Sequence, residues 1–221
     1  MSWLITPQLK SVDGVPIGTA YGGGYVAGFM SYTQNNIPTH ALIVAPRATG
    51  ASGTGYTLTT NLRWKTSGTS TSGTTSFFDG AANTNAMIAA GIANHPAAQF
   101  CVNLNIGGFN DWYLPADLEL NIAYFNLKPN NVPNQTSAGA NAYSVPQRLS
   151  NFTSTVPSQT QISPFTTAAE AFVAGYLWSS RQISATDAAY FVFGNENPSG
   201  GVGGLSKEAL FGVRAFRRIA L

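Results

Sequence analysis

The sequence predicts an α+β fold with short helices, a terminal antiparallel β-meander and long irregular loops. Three observations point there: short apolar runs at both ends of the chain, helical spacing of apolar residues in the middle, and Gly, Ser, Thr and Asn tracts between them. With 221 residues, 44% of them hydrophobic, the chain can build one large domain or two small ones around a real core.

Residues 1–24 read as an irregular arm, broken by Pro7, Pro16 and the glycines 22–24, and suited to docking on a partner; residues 25–221 read as the domain. Runs at 25–30 and 40–45, joined by a turn-prone segment, read as an antiparallel pair, with 63–66 as a third strand. The low-complexity Gly/Ser/Thr stretch at 67–76 reads as an exposed loop or a flexible connector. Asp79 then precedes a helix in which Ala86, Ile88, Ala89 and Ile92 share a face, and a second short helix covers 97–104.

In GGFNDWYLPADLEL, Gly107 to Leu120, Pro115 takes a first-turn position and Asp117 and Glu119 sit near the positive end of the helix dipole. Leu118, Ile122 and Phe125 repeat at helical spacing, and Lys128-Pro129 ends the helix. Residues 130–167 are too long for an ordinary connection and read as a functional insertion or an ordered irregular region, pinned by Tyr143, Phe152 and Phe165. A short helix at 168–174 leads into strands at 176–180, 188–193 and 212–219, expected to form the meander. In these strands Tyr190 and Val192 face opposite to Phe191 and Phe193, and Val213, Ala215 and Ile219 alternate with Arg214 and Phe216.

Only 9% of residues are charged, with a net charge of +2, a profile that suits an extracellular or virion surface. The basic residues are scattered apart from Arg214, Arg217 and Arg218, so no phosphate-tracking stripe exists and no nucleic-acid partner is expected. Cys101 is the single cysteine, which excludes an intrachain disulfide and a multi-cysteine metal site; its apolar flanks predict a buried thiol without chemistry. Neither a signal peptide nor a membrane span is read in the sequence, and no metal or cofactor is expected, because the nine acidic residues form no dense cluster.

No catalytic residue is assigned. Trp178-Ser179-Ser180 reads as core strand, since neither His40 nor His95 stands at a spacing that specifies a triad. In the turn before the helix, Asp111 can accept backbone N–H bonds, Trp112 and Leu114 can enter the core, and Pro115 fixes the helix start. Arg214 is expected to pair with a carboxylate or with backbone carbonyls. Candidate ligand contacts are Arg181, Asn195, Glu196, Asn197 and Phe211, on loops joining the final strands, where a rigid sheet would present them.

The succession GGFNDWYLPADLEL, long loop, YLWSS, AAYFVFGN and GVRAFRRI resembles the Lcl C-terminal domain, the terminal domain of a bacterial collagen-like adhesin. Gly108, Asp111, Trp112, Leu114, Pro115, Glu119, Leu120, Trp178, Ser179, Ser180, Val213 and Arg214 match its G-x-x-D-W-x-L-P-x-x-x-E-L, W-S-S and V-R elements. Tyr113 stands where that family commonly has an arginine. The family is similar to the C-type-lectin-like fold of formylglycine-generating enzymes and of some phage tail-fibre tips, and the likeness spans residues 22–221.

The resemblance implies a non-enzymatic binding module on a phage virion surface, tail fibre or tail tip, made in the host cytoplasm and recognising a bacterial surface glycan or protein. It also implies contact with other virion proteins through the N-terminal arm, and a homo-oligomer, a trimer, that multiplies weak sites. The alternatives are a purely structural decoration or baseplate protein, or a glycan-cleaving tail enzyme with two carboxylates brought together by the fold.

Overall fold

The computed structural model describes residues 15–52, 61–166, 169–194 and 198–221. Strands β1 (Ala20–Tyr21), β2 (Gly24–Met30) and β3 (His40–Val44) come first, then helix α1 (Arg47–Gly50) and strands β4 (Ala51–Ser52) and β5 (Leu62–Arg63). Helices α2 (Gly80–Ala89), α3 (Pro96–Val102) and α4 (Asp117–Leu127) follow. Strands β6 (Ser144–Val145), β7 (Gly175–Gln182), β8 (Asp187–Phe193), β9 (Val202–Ser206), β10 (Leu210–Phe211), β11 (Val213–Arg214) and β12 (Phe216–Ala220) complete the order. The chain is α+β, and its strands pair antiparallel.

The two N-terminal apolar runs pair as expected, Tyr25 opposite Val44 and Met30 opposite His40. β1 and β6 share the other edge of β2, and β12 adds to the free side of β3, giving a five-stranded sheet. Here the expected terminal meander is corrected. The three-stranded meander is β7-β8-β9, while the 212–219 segment divides, Val213–Arg214 joining β4 and β12 joining β3. Ala215 marks the division, because its amide and carbonyl bond Gly50 and Ala45 instead of continuing one ladder. β9, Val-Gly-Gly-Leu-Ser, lacks the β-branched run that marks a strand in sequence, so its place is set by pairing with β8.

Other expectations shift in the same way. β5 pairs with β10 and does not extend the first sheet. No helix forms over 169–174, and Ala168 lies outside the described residues. The 15–24 portion of the expected arm belongs to the body, since β1 pairs with β2 and the Gly18 amide donates to Val26 O at 2.8 Å; residues 1–14 lie outside the described set.

Two buried clusters flank the strands. One gathers Met30, Leu42, Val44, Leu120, Tyr124, Phe191, Phe193 and Phe216, and the other Ile43, Trp64, Trp112, Trp178, Val213 and Ala215. Alternate residues of β3 and β8 therefore enter opposite cores, which is why the strands read as nearly continuous apolar runs. The indoles of Trp64, Trp112 and Trp178 are buried, and each N–H finds a carbonyl, on Ser179, Phe109 and Leu62 respectively.

The helices form where their caps predict, but with different inner faces. Asp79 caps α2, accepting from the Ala82 amide at 2.8 Å. Its buried side is Asn83, Thr84 and Met87, while Ile88 is 46% exposed and Ala89 is exposed. Asn83 can turn inward because Ser76 O and Ser180 Oγ take its amide protons. In α4 the inward residues are Leu120, Ile122, Ala123, Tyr124 and Leu127, with Leu118 and Phe125 half-buried. Pro115 precedes the N-cap Ala116 and so lies just outside the first turn. A Cβ at Gly28 would stand 2.4 Å from Ile122 Cγ2, so glycine lets α4 lie directly on β2.

The 130–167 stretch is ordered without long elements. The buried Lys128 ammonium donates to Val132 O, Asn134 Oδ1 and Pro157 O, and Phe152 and Phe165 enter the first core. Cys101 is wholly buried and burial pushes its thiol well above the usual range. Trp112→Ala is expected to cost about 3–5 kcal/mol, because it empties a site with no room to collapse, and a denaturant melt would measure it. A neutral thiol reagent should label native Cys101 roughly a hundredfold more slowly than the unfolded chain, as followed by mass spectrometry.

Candidate functional site

The turn at 107–113 and helix α2 form the two walls of a cleft of about 470 Å³. Ala81, Thr84, Asn85 and Ile88 come from α2, Asn110 to Tyr113 from the turn, and Val102 and Arg218 complete the lining. The walls are tied to each other: Thr84 Oγ1 accepts from the Leu114 amide at 3.1 Å. The turn is also laced to β12, since Tyr113 and Phe216 exchange both backbone bonds at 2.7 and 3.1 Å. Trp112, Tyr113 and Leu114 are buried as anchors, leaving Asn110 and Asp111 on the exposed rim.

Asp111 does not accept backbone amides across the turn. Its carboxylate receives the Arg217 fork at 2.7 and 2.9 Å, and the same guanidinium stacks 4.0 Å over Phe109 and donates to Gly22 O. A fixed cation with a planar fork outcompetes single amides for both carboxylate oxygens. Arg218 in turn pairs with Asp79 at 2.7 Å and with the Tyr32 hydroxyl. Both charges on the rim are thus compensated, and the cleft offers amides, a carboxylate whose two oxygens each already accept from Arg217, and the exposed Ile88.

Beneath the cleft lies Glu119, wholly buried. Its Oε1 accepts from the Tyr113 hydroxyl at 2.6 Å, and its Oε2 from the Ala116 amide at 2.7 Å and the Gly80 amide at 3.2 Å. Burial raises its carboxyl to about 7, against the opposing pull of the Tyr113 and Ala116 donors and the Arg218 charge.

The residues expected to contact ligand are not brought together. Arg181 is tied to Asp117 in an ion pair. Phe211 is half-buried among Tyr176, Trp178 and Tyr190, with ring centroids 4.7–5.0 Å away, and so walls the second core instead of offering an open platform. Asn195, Glu196 and Asn197 lie outside the described residues. The structural assignments fare differently: Trp112, Leu114, Pro115, Glu119 and Trp178 are buried, and Arg214 meets both a carboxylate, Glu170 at 3.0 Å, and a carbonyl, Ala45 at 2.7 Å.

Asn85, Ile88 and Arg218 were not read as site residues. A surface Asn and Ile on a helix carry no local signal, and the partners of the Arg217-Arg218 pair lie more than a hundred residues away. Among the described residues no three His, Cys, Asp or Glu side chains gather as metal ligands, and no helix is long and apolar enough to cross a membrane. No protein-family model matches the chain, and no curated protein matches it either.

The Glu119 carboxyl makes stability pH-dependent. Its folded value near 7 lies above the ordinary 4.5, so its favourable contribution is complete below about 4.5 and is lost as pH rises through about 7. Burial holds His40 and His95 below their usual value, so their contribution runs the other way, present above about 6.5 and lost on acidification. The difference between wild type and Glu119→Gln isolates the carboxyl. Between about pH 5 and about pH 8 the wild type should lose on the order of 2–3 kcal/mol more than the variant in urea melts, and parallel profiles would show Glu119 ionised throughout.

Proposed function

We propose that the protein is a non-enzymatic recognition module of a phage particle, at a tail fibre or tail tip, whose cleft between α2 and the 107–113 turn takes a neutral glycan of the bacterial surface. The observation that carries the reading is the cleft itself. Its walls are fixed by Trp112, Leu114 and Glu119 from below, while Asn85, Asn110 and Asp111 present donors and acceptors beside the apolar Ile88. Sugars need that pairing, since their hydroxyls seek amides and carboxylates and their C–H faces seek an apolar wall.

Two further features support it. The 9% charged composition favours recognition by uncharged polar groups, and the motif succession from GGFNDWYLPADLEL to GVRAFRRI resembles adhesin and tail-fibre domains of the C-type-lectin-like fold. A homotrimer would multiply weak single clefts through avidity.

The test is the double variant Asn85→Ala, Asn110→Ala, which alters exposed side chains and spares the buried framework. Attachment of fluorescent protein to host cells should fall roughly tenfold or more with an unchanged melting temperature. Undiminished attachment by the folded variant would reject the cleft, and absence of wild-type attachment to any host would favour a structural virion role.

A further inference from the structure

Arg218 brings to the cleft between α2 and the 107–113 turn a set of donors that the fold leaves unused. It belongs to the lining, and its side chain is 27% exposed. Nη1 donates to Asp79 Oδ1 at 2.7 Å and to the Tyr32 hydroxyl. Among the described residues Nε and Nη2 have no hydrogen-bond partner, and neither is closed off from solvent. The guanidinium is nonetheless held in place, by Asp79, the N-cap of α2, and by the Tyr32 ring, whose centroid lies 5.2 Å from Cζ. Adjacent N–H groups on a fixed planar fork call for an acceptor oxygen.

The rest of the lining defines what carries that oxygen. Asp79 matches Arg218 and Asp111 matches Arg217, so an acidic group would find no unmatched cation and would meet the Asp111 carboxylate. A neutral carbonyl accepts from the fork with no charge to compensate. Beside Arg218 the cleft has apolar surface from Ala81, Val102 and Ile88, the last 46% exposed, and the exposed amides of Asn85 and Asn110. An acetamido group answers all three features. Its carbonyl accepts from Arg218, its N–H can donate to an Asn side-chain carbonyl, and its methyl adds apolar contact. A sugar hydroxyl could accept from Arg218 but carries no apolar end. The volume of about 470 Å³ lies within the ~300–1,000 Å³ range of ligand pockets and admits such a sugar.

We infer that the cleft is specific for sugars bearing an acetamido group, the N-acetylhexosamines, and that Arg218 is the residue that reads the acetamido carbonyl. This specificity rests on the glycan-binding role of the cleft and narrows it to one class of sugar. Saturation-transfer NMR on the full chain reads contacts of millimolar affinity, with the methyl glycosides of N-acetylglucosamine, N-acetylgalactosamine, glucose, galactose and glucuronic acid each up to about 50 mM.

At least one acetamido glycoside should bind saturably, roughly tenfold or more tighter than its parent hexose, with the acetamido methyl among the most strongly saturated protons. Arg218→Lys keeps a cation opposite Asp79 but loses the planar fork, and should cut that preference to about threefold or less. Ile88→Ser, at an exposed position of α2, should reduce it too with an unchanged melting temperature. Equal binding of acetamido and parent glycosides would overturn the specificity; loss of both in the Asn85→Ala, Asn110→Ala variant would then leave the cleft as a general glycan site. Tighter binding of the glucuronide, or a preference that survives both Arg218→Lys and Ile88→Ser, would overturn it as well. So would saturable binding by none of the five, with cell attachment then judging the broader role alone. If Arg218→Lys fails to fold, the Ile88→Ser result decides.

Discussion

The Glu119 carboxylate is buried where three chain segments converge, and it is the acceptor that lets them do so. The Gly80 amide opens α2, the Ala116 amide opens α4, and the Tyr113 hydroxyl closes the turn between them; all three donate to it. Each amide is one that a helix end leaves without an internal partner, so a single side chain caps two helices at once. Gly80 is required for this approach, since a Cβ there would stand 2.4 Å from Glu119 Oε2 and 2.7 Å from Leu114 O. Trp112, Leu114 and the rim of the cleft are held in place by the same convergence. The turn is thus a support whose outer edge happens to be accessible.

The sparse charges are used internally. Of nine acidic residues, Asp79, Asp111, Asp117 and Glu170 form ion pairs with Arg218, Arg217, Arg181 and Arg214, and Glu119 is buried. Lys65, Lys128 and Lys207 are buried too, and their ammonium groups gather loop carbonyls: Lys207 draws in Thr69 O and Ala185 O together with the Gln182 amide oxygen. Burial lowers Lys207 to about 8, which still leaves it charged at neutral pH. Long loops without a disulfide are therefore organised around ammonium ions and arginine forks, each joining segments distant in sequence. Burying such a charge costs free energy unless its bonds are complete, so these loops have few alternative arrangements.

The local signals in the sequence were legible and the long-range ones were not. Asp79 and the Lys128-Pro129 step mark helix ends by steric and hydrogen-bonding rules that act within one turn, and the structure follows them. The 25–30 and 40–45 pair was readable for the same reason. Helix faces were misread because Asn83 and Thr84 point inward, which depends on partners at Ser180 and Leu114 that no window of sequence contains. The cleft was hidden likewise: Asp111 was visible as a turn residue, but its Arg217 partner and the α2 wall come together only in three dimensions. Arg214 was the exception, since an arginine alternating with apolar strand residues must meet a carboxylate or carbonyls wherever the strand goes.

The pairing of β12 with β3 places residues about 170 positions apart side by side, Phe216 against Val44. During synthesis at roughly 5–20 residues per second, the β2–β3 hairpin would emerge and wait on the order of 10–30 s for its neighbour. Through that interval β3 carries an open, apolar edge, and Tyr113 and Asp111 lack the Phe216 backbone and the Arg217 fork that later fix them. Closure of the sheet, docking of the turn and completion of the cleft thus belong to one late step. Kinetically, the molecule acquires its cleft as it acquires its fold, and an intermediate lacking β12 would be vulnerable to edge-to-edge association.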